Sequence, residues 1–119
     1  MGTRYLIDTN TVSDYLGRKL TPEAMQYLHG IVNSTPQISV MTRIESLSYL
    51  SPTIEIIRGF IGYTTVFDLT EDIILRTIAL RRSRRIKIPD AIIAATALEY
   101  DFTLITHNTS DFQGIPNLK

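Results

Sequence analysis

The 119-residue chain has no cysteine. That excludes disulfides, thiolate zinc sites and a cysteine nucleophile, and it fits a reducing cytosol. No apolar run approaches the length that spans a bilayer, so no membrane partner is expected. No low-complexity stretch or internal repeat interrupts the chain. Charge of one sign is lacking as well: 12 basic and 12 acidic residues give a net charge of zero. A bulk positive field for nucleic acid is therefore absent, and any such binding has to come from a local patch. Asp8 is reached too soon for a signal peptide, and Leu6 stands where a myristoylation signal needs Ser or Thr. Neither targeting feature is expected.

What is present is an ordinary globular composition, 44% hydrophobic and 20% charged. Its length suits one domain over residues 1–119 with one hydrophobic core. Strand-like runs alternate with helical ones. Arg4–Asp8, Gln37–Met41, Thr64–Leu69 and Phe102–Thr106 read as strands, and Ile115–Leu118 as a short fifth. Between them, Val12, Tyr15 and Leu16 mark a short helix ending near Gly17. Thr21-Pro22-Glu23 opens a second with Ala24, Met25, Leu28, Ile31 and Val32 on one face. Thr42–Glu45 opens a third and Ser51-Pro52 a fourth with Ile54, Ile57 and Ile61. Thr70-Glu71-Asp72 caps a fifth, with Ile74 and Ile78 expected inside. Pro89-Asp90 opens a sixth, Ala91–Leu98, which is apolar nearly all round and should be buried. Connections too long for hairpins imply an α/β fold, a mostly parallel sheet of four or five strands covered on both faces.

In open sheets of this kind, ligands bind beyond the carboxyl ends of the strands, where strand order reverses. Asp8 and the Thr106–Asp111 loop follow strands directly, and Glu45 lies one helical turn past another. With Asp90 they form a candidate quartet of carboxylates. Each also has a local reading: Asp8 as a helix cap, Glu45 as the partner of Thr42 in a capping box, Asp90 as a first-turn acid, and Asp111 in an Asx-turn. Four acids brought together repel one another and call for a counter-charge. A hard divalent cation such as Mg²⁺ supplies it and keeps waters that phosphate oxygens can replace. Thr9, Asn10, Thr106 and Asn108 are candidates to hydrogen-bond and orient the acids, or else to serve turns and caps. An aspartyl phosphotransferase or a receiver domain is disfavoured, because Asn10 stands where the former needs a second Asp and no lysine lies near the fourth strand.

These residues carry a family resemblance. Asp8-Thr9-Asn10 after the first strand resembles the opening motif of PIN-domain nucleases, in particular VapC-type toxins of toxin–antitoxin systems. Pro89-Asp90-Ala91-Ile92-Ile93-Ala94-Ala95 and Thr106-His107-Asn108-Thr109-Ser110-Asp111-Phe112 are similar to two further motifs, and Glu45 stands where the family has its glutamate. The likeness runs from about Tyr5 to Leu118, though the glycine often found shortly after the glutamate is missing. It implies a three-layer α/β/α sandwich, dependence on Mg²⁺ or Mn²⁺, RNA cleavage in the cytoplasm, a homodimer and a cognate antitoxin. The alternative is a catalytically silent PIN-like module that binds RNA or protein.

Other features have two readings each. Arg81, Arg82, Arg84, Arg85 and Lys87 can contact RNA phosphates or a partner, or simply complement a helix C-terminus. His107 is read as an exposed turn residue, His29 as incidental and Asp14 as a solvated acid. Phe60 and Tyr63 are partly exposed candidates for an interface.

Overall fold

Four short apolar runs become strands in the computed structural model, which describes residues 3–119. Met1 and Gly2, on which the expectation of no leader or lipid signal partly rests, lie outside the described residues. The strands are β1 (Tyr5–Ile7), β2 (Gln37–Ser39), β3 (Thr65–Phe67) and β4 (Thr103–Ile105). β1 pairs with β4 and β2 with β3, both parallel, with Tyr5 opposite Thr103 and Gln37 opposite Thr65. β1 and β2 lie side by side, and the Gln37 carboxamide donates to the Tyr5 carbonyl at 3.0 Å across the seam. Reading through that seam, the order is β3-β2-β1-β4. The order reverses at β1, so the ends of β1 and β4 mark the expected ligand crevice.

The helices are α1 (Thr9–Leu16), α2 (Pro22–Val32), α3 (Val40–Leu47), α4 (Ile54–Tyr63), α5 (Glu71–Ser83), α6 (Ile88–Tyr100) and α7 (Thr109–Phe112). Successive strand residues face opposite sides of a sheet. Accordingly Leu6 joins a core cluster with Ile73, Leu80, Phe102 and the α6 alanines, while Ile7 joins another with Val12, Leu28, Ile31, Ile38 and Ile61. Two cores on two faces make the expected three-layer sandwich. Helix α6 is buried from Ala91 to Ala97, as its sequence requires. Its one polar member there, Thr96, donates to the Ile92 carbonyl at 2.8 Å. At one end of the sheet Phe67, Tyr100 and Phe102 pack ring to ring, with the Arg4 guanidinium over Phe102. Among the described residues no helix is long and apolar enough to cross a membrane.

Three expectations are corrected. First, Ile115–Leu118 forms turns rather than a fifth strand; only the Lys119 carbonyl reaches the sheet, accepting from Leu104 N–H at 2.9 Å. Pro116 offers no N–H to a ladder, and Asn117 sits at φ 67°, which breaks an extended run. Second, β2 stops at Ser39 rather than Met41, because the Ser39 hydroxyl accepts from Met41 N–H at 3.0 Å and starts α3 there. Third, the inner stripe of α5 is Ile73, Thr77 and Leu80, and Ile78 is 41% exposed. Thr77 tolerates that stripe by donating to the Ile73 carbonyl at 2.8 Å.

The burial of α6 leaves no room for larger side chains. Ala94→Leu is expected to cost about 1–3 kcal/mol of unfolding free energy. Ile78→Ser, on the solvated side of α5, should stay within about 0.5 kcal/mol. Urea denaturation of the two variants checks both values.

Candidate active site

Asp8 follows β1 directly and is the N-cap of α1, its Oδ1 accepting from Thr11 N–H at 2.9 Å. It is only 4% exposed. The cap occupies one carboxylate oxygen and fixes the side chain, so the local reading and the site reading of Asp8 hold together. Thr11 is locked in turn by its own hydroxyl, which bonds to the Ile105 carbonyl at the end of β4. The first acid is thus tied to both strands at the reversal point.

Glu45 is not part of a capping box. Helix α3 begins at Val40, two residues before Thr42, with Ser39 as its cap, so Glu45 lies well inside the helix. Its Oε1 instead accepts from the Thr9 hydroxyl at 2.6 Å, and that hydroxyl lies 3.2 Å from the hydroxyl of fully buried Thr42. Thr9 therefore links the second acid to the residue that follows the first. Thr42 has no place among the sequence candidates, since its hydroxyl was assigned to a cap.

Asp90 lies in the first turn of α6, where the macrodipole favours an acid. Its carboxyl is pushed above the usual range, chiefly by burial and then by the charges of Asp111, Glu45 and Asp8; Lys87 pulls the other way. Asp8, Thr9, Asn10, Glu45, Asp90 and Asn108 line one cavity of about 70 Å³. Asp111 is exposed on α7 rather than in an Asx-turn, and it faces a neighbouring cleft that shares Asp90. Of the four candidate supporting residues, Thr9 touches a carboxylate. Thr106 braces its own loop, its hydroxyl accepting from Asn108 N–H at 3.0 Å.

The neighbouring cleft is lined by Arg81, Arg85, Lys87, Ser110 and Asp111. The basic cluster divides into two groups. Arg81 donates to the Ile86 carbonyl, and Arg84 spans the Gln113 and Gly114 carbonyls at 3.2 and 2.9 Å. Arg82, in the last turn of α5, complements the helix dipole. Arg84 pins the turn after α7, where Gly114 takes φ 80°, a conformation that strains any side chain. His107 is exposed in the β4–α7 loop as expected, and its Nε2 lies 3.2 Å from Asp14 Oδ2, tying that loop to α1. His29 also has a partner, the Tyr15 hydroxyl at 2.7 Å.

The donor set suits a hard divalent cation: oxygen ligands only, with an excess of negative charge. The cavity has room for an ion with several waters. Among the described residues no three such side chains stand close enough to encage an ion. Asp8, Glu45 and Asp90, which share the cavity, would hold such an ion together with water.

Comparison with known proteins agrees with this fold. The family model for the PIN domain matches residues 5–118. The chain belongs to the PIN domain family. A chain of a toxin–antitoxin complex from Klebsiella pneumoniae is 32% identical to it, covers 97% of this chain and 95% of its own, and superposes with a TM-score of 0.78. DNA-bound VapBC from Salmonella typhimurium is 23% identical over 99% of this PIN domain and 96% of its own chain, with a TM-score of 0.81. VapBC-1 from nontypeable Haemophilus influenzae is also 23% identical, over 98% and 96%, with a TM-score of 0.77. A search of curated proteins gives no match.

Two tests follow from the charge and the clamp. An unfolded Asp titrates near 3.9. With the native Asp90 value raised, the folded PIN domain holds that proton more tightly, so stability falls as pH rises from there through the raised value and then levels off. Asp90→Asn should consequently raise the melting temperature of the metal-free protein at neutral pH, by on the order of 2–5 °C, and flatten that pH dependence. Arg84→Ala should cost about 1–2 kcal/mol and speed amide exchange around Gln113–Ile115, whereas Arg85→Ala should do neither. Calorimetry and hydrogen exchange check these outcomes.

Proposed function

We propose that this PIN-domain protein is a divalent-metal-dependent endoribonuclease, the toxin of a toxin–antitoxin pair, working in the cytoplasm. The observation that carries the reading is that Asp8, Glu45 and Asp90, from three separate segments, line one cavity, with Asp111 in the adjoining cleft that shares Asp90. Local capping accounts for an acid at each helix start. It does not account for placing mutually repelling acids together at the strand-order reversal. Membership of a family whose domains are generally nucleases supports the same reading.

Asp8, Asp90 and Asp111, with Glu45, would hold Mg²⁺ or Mn²⁺. Such an ion supplies a water of lowered pKa and neutralises charge on the phosphate. The residues of the chain do the positioning. The Thr11 N–H holds Asp8, and the Thr9 hydroxyl holds Glu45 with one oxygen committed. Asn10 and Asn108 line the cavity and can donate to the substrate or to bound water. Arg85 and Lys87, in the cleft shared with Asp90, would counter the charge of the next phosphate along the strand. A cognate antitoxin is proposed as partner on the likeness to toxin–antitoxin complexes, and a homodimer as the assembly.

The alternative, a silent module that binds RNA or protein, is favoured by one observation, the absence of a ready three-carboxylate cage among the described residues. Incubation of a mixed structured RNA pool with Mg²⁺, Mn²⁺ or EDTA, with Asp8→Asn as control, separates the two. Cleavage should require the ion and fall by about two orders of magnitude or more in the variant. Folded protein that neither cleaves nor is stabilised by either ion would sink the nuclease and leave the module.

A further inference from the structure

The acidic cavity is flanked by surfaces of opposite chemistry. On one side is the cleft carrying Arg81, Arg85 and Lys87, which shares Asp90 with it. On the other is a groove of about 530 Å³ between α1, the C-terminal end of α3 and the approach to α4. This groove shares Thr9, Asn10 and Glu45 with the cavity, so a strand whose phosphate reaches the acids can continue along it.

No lysine or arginine lines the groove, so it offers a phosphate no counter-charge. Beyond Glu45, which it shares with the cavity, it offers short hydrogen-bonding groups, the apolar side chains of Val12 and Ile57, and one aromatic ring. Asn10 is exposed where groove and cavity meet, and Ser46, Ser51 and Thr53 add hydroxyls along it. The ring of Tyr49 is 78% exposed. Carboxamides and hydroxyls read the edges of unpaired bases, and an aromatic face stacks on them whatever their sequence.

We infer that this groove is a nucleobase subsite, which takes one unpaired base of an RNA strand against Tyr49 while the adjoining phosphate lies at the carboxylates. The inference rests on the RNA reading above. It divides the labour between the two flanks: phosphates on the Arg85 and Lys87 side, a base on the Tyr49 side. Leu50, beside Tyr49, is 90% exposed, and a protein partner would use both residues. Continuity with the acids and the hydroxyl and amide lining favour the base.

The test is fluorescence anisotropy with a labelled single-stranded RNA decamer of mixed sequence and an abasic ribose-phosphate decamer, in EDTA and again in Ca²⁺. Tyr49→Ala should weaken binding of the RNA about tenfold and leave the abasic oligomer unchanged, with Tyr49→Phe restoring the wild-type value. Arg85→Ala should weaken both oligomers alike and flatten the salt dependence. Equal loss on both oligomers, or no loss, in Tyr49→Ala overturns the subsite. Wild-type protein that binds both oligomers equally overturns it too, while the RNA reading stands. Binding of neither oligomer brings down the RNA reading itself. A Tyr49→Ala protein that keeps its RNA affinity but no longer associates with its antitoxin would assign the groove to the protein partner instead.

Discussion

Seven consecutive residues of α6, Ala91 to Ala97, are shielded from water, so this helix needs a neighbour on every side. A helix of that kind cannot lie on the surface of a two-layer fold, because its outer face would remain wet. It has to be wedged between the sheet and further helices. Four alanines among the seven keep its cylinder narrow, and α5 closes over it with Ile73, Thr77 and Leu80. The wedge also sets where the helix starts. Its first turn emerges at the carboxyl edge of the sheet and carries Asp90 to the point where strand order reverses.

The acids are held there by ordinary backbone needs. Helix α1 must satisfy its free N–H groups, and Asp8 does so with one oxygen. Thr9 lies in the first turn of the same helix and uses its hydroxyl to fix Glu45 from another. Capping and the holding of the acids are therefore one set of hydrogen bonds, which is an economical way to keep like charges together. The arrangement still costs stability, since burial and three neighbouring charges all press Asp90 toward its protonated form. Sites kept in such tension gain from whatever ligand relieves it.

The sequence made α6, the four strands and the grouping of the acids legible for a physical reason. Each depends on local patterns: apolar residues all round, a proline and an acid in a first turn, an acid directly after an apolar run. What stayed hidden depends on contacts between distant segments. Glu45 looked like half of a capping box because Thr42 precedes it by three residues; the true cap, Ser39, lies in what reads as a continuous strand. The α5 stripe was misphased because Thr77 looks polar until its hydroxyl is seen to bond within the helix. Arg84 was indistinguishable from its basic neighbours, because the carbonyls it holds lie about thirty residues away. The Ile115–Leu118 run is apolar enough for a strand, but Pro116 and the left-handed Asn117 remove the ladder it would need.

Zero net charge shapes how a polyanion would approach such a protein. With 12 charges of each sign, long-range steering is weak, and attraction is confined to about a Debye length from the basic cleft. The acids beside that cleft repel phosphate until a cation covers them. A bare site is therefore guarded by its own charge, and a bound cation would relieve that barrier. Weak steering also leaves discrimination to short-range contacts, because neither flank can hold a strand by charge alone. The groove on the far side of the acids, which has no basic residue in its lining, is where contacts of that kind are available. A binding site that depended only on Arg85 and Lys87 would accept any phosphodiester, whereas one that also engages the groove depends on what is attached to the ribose.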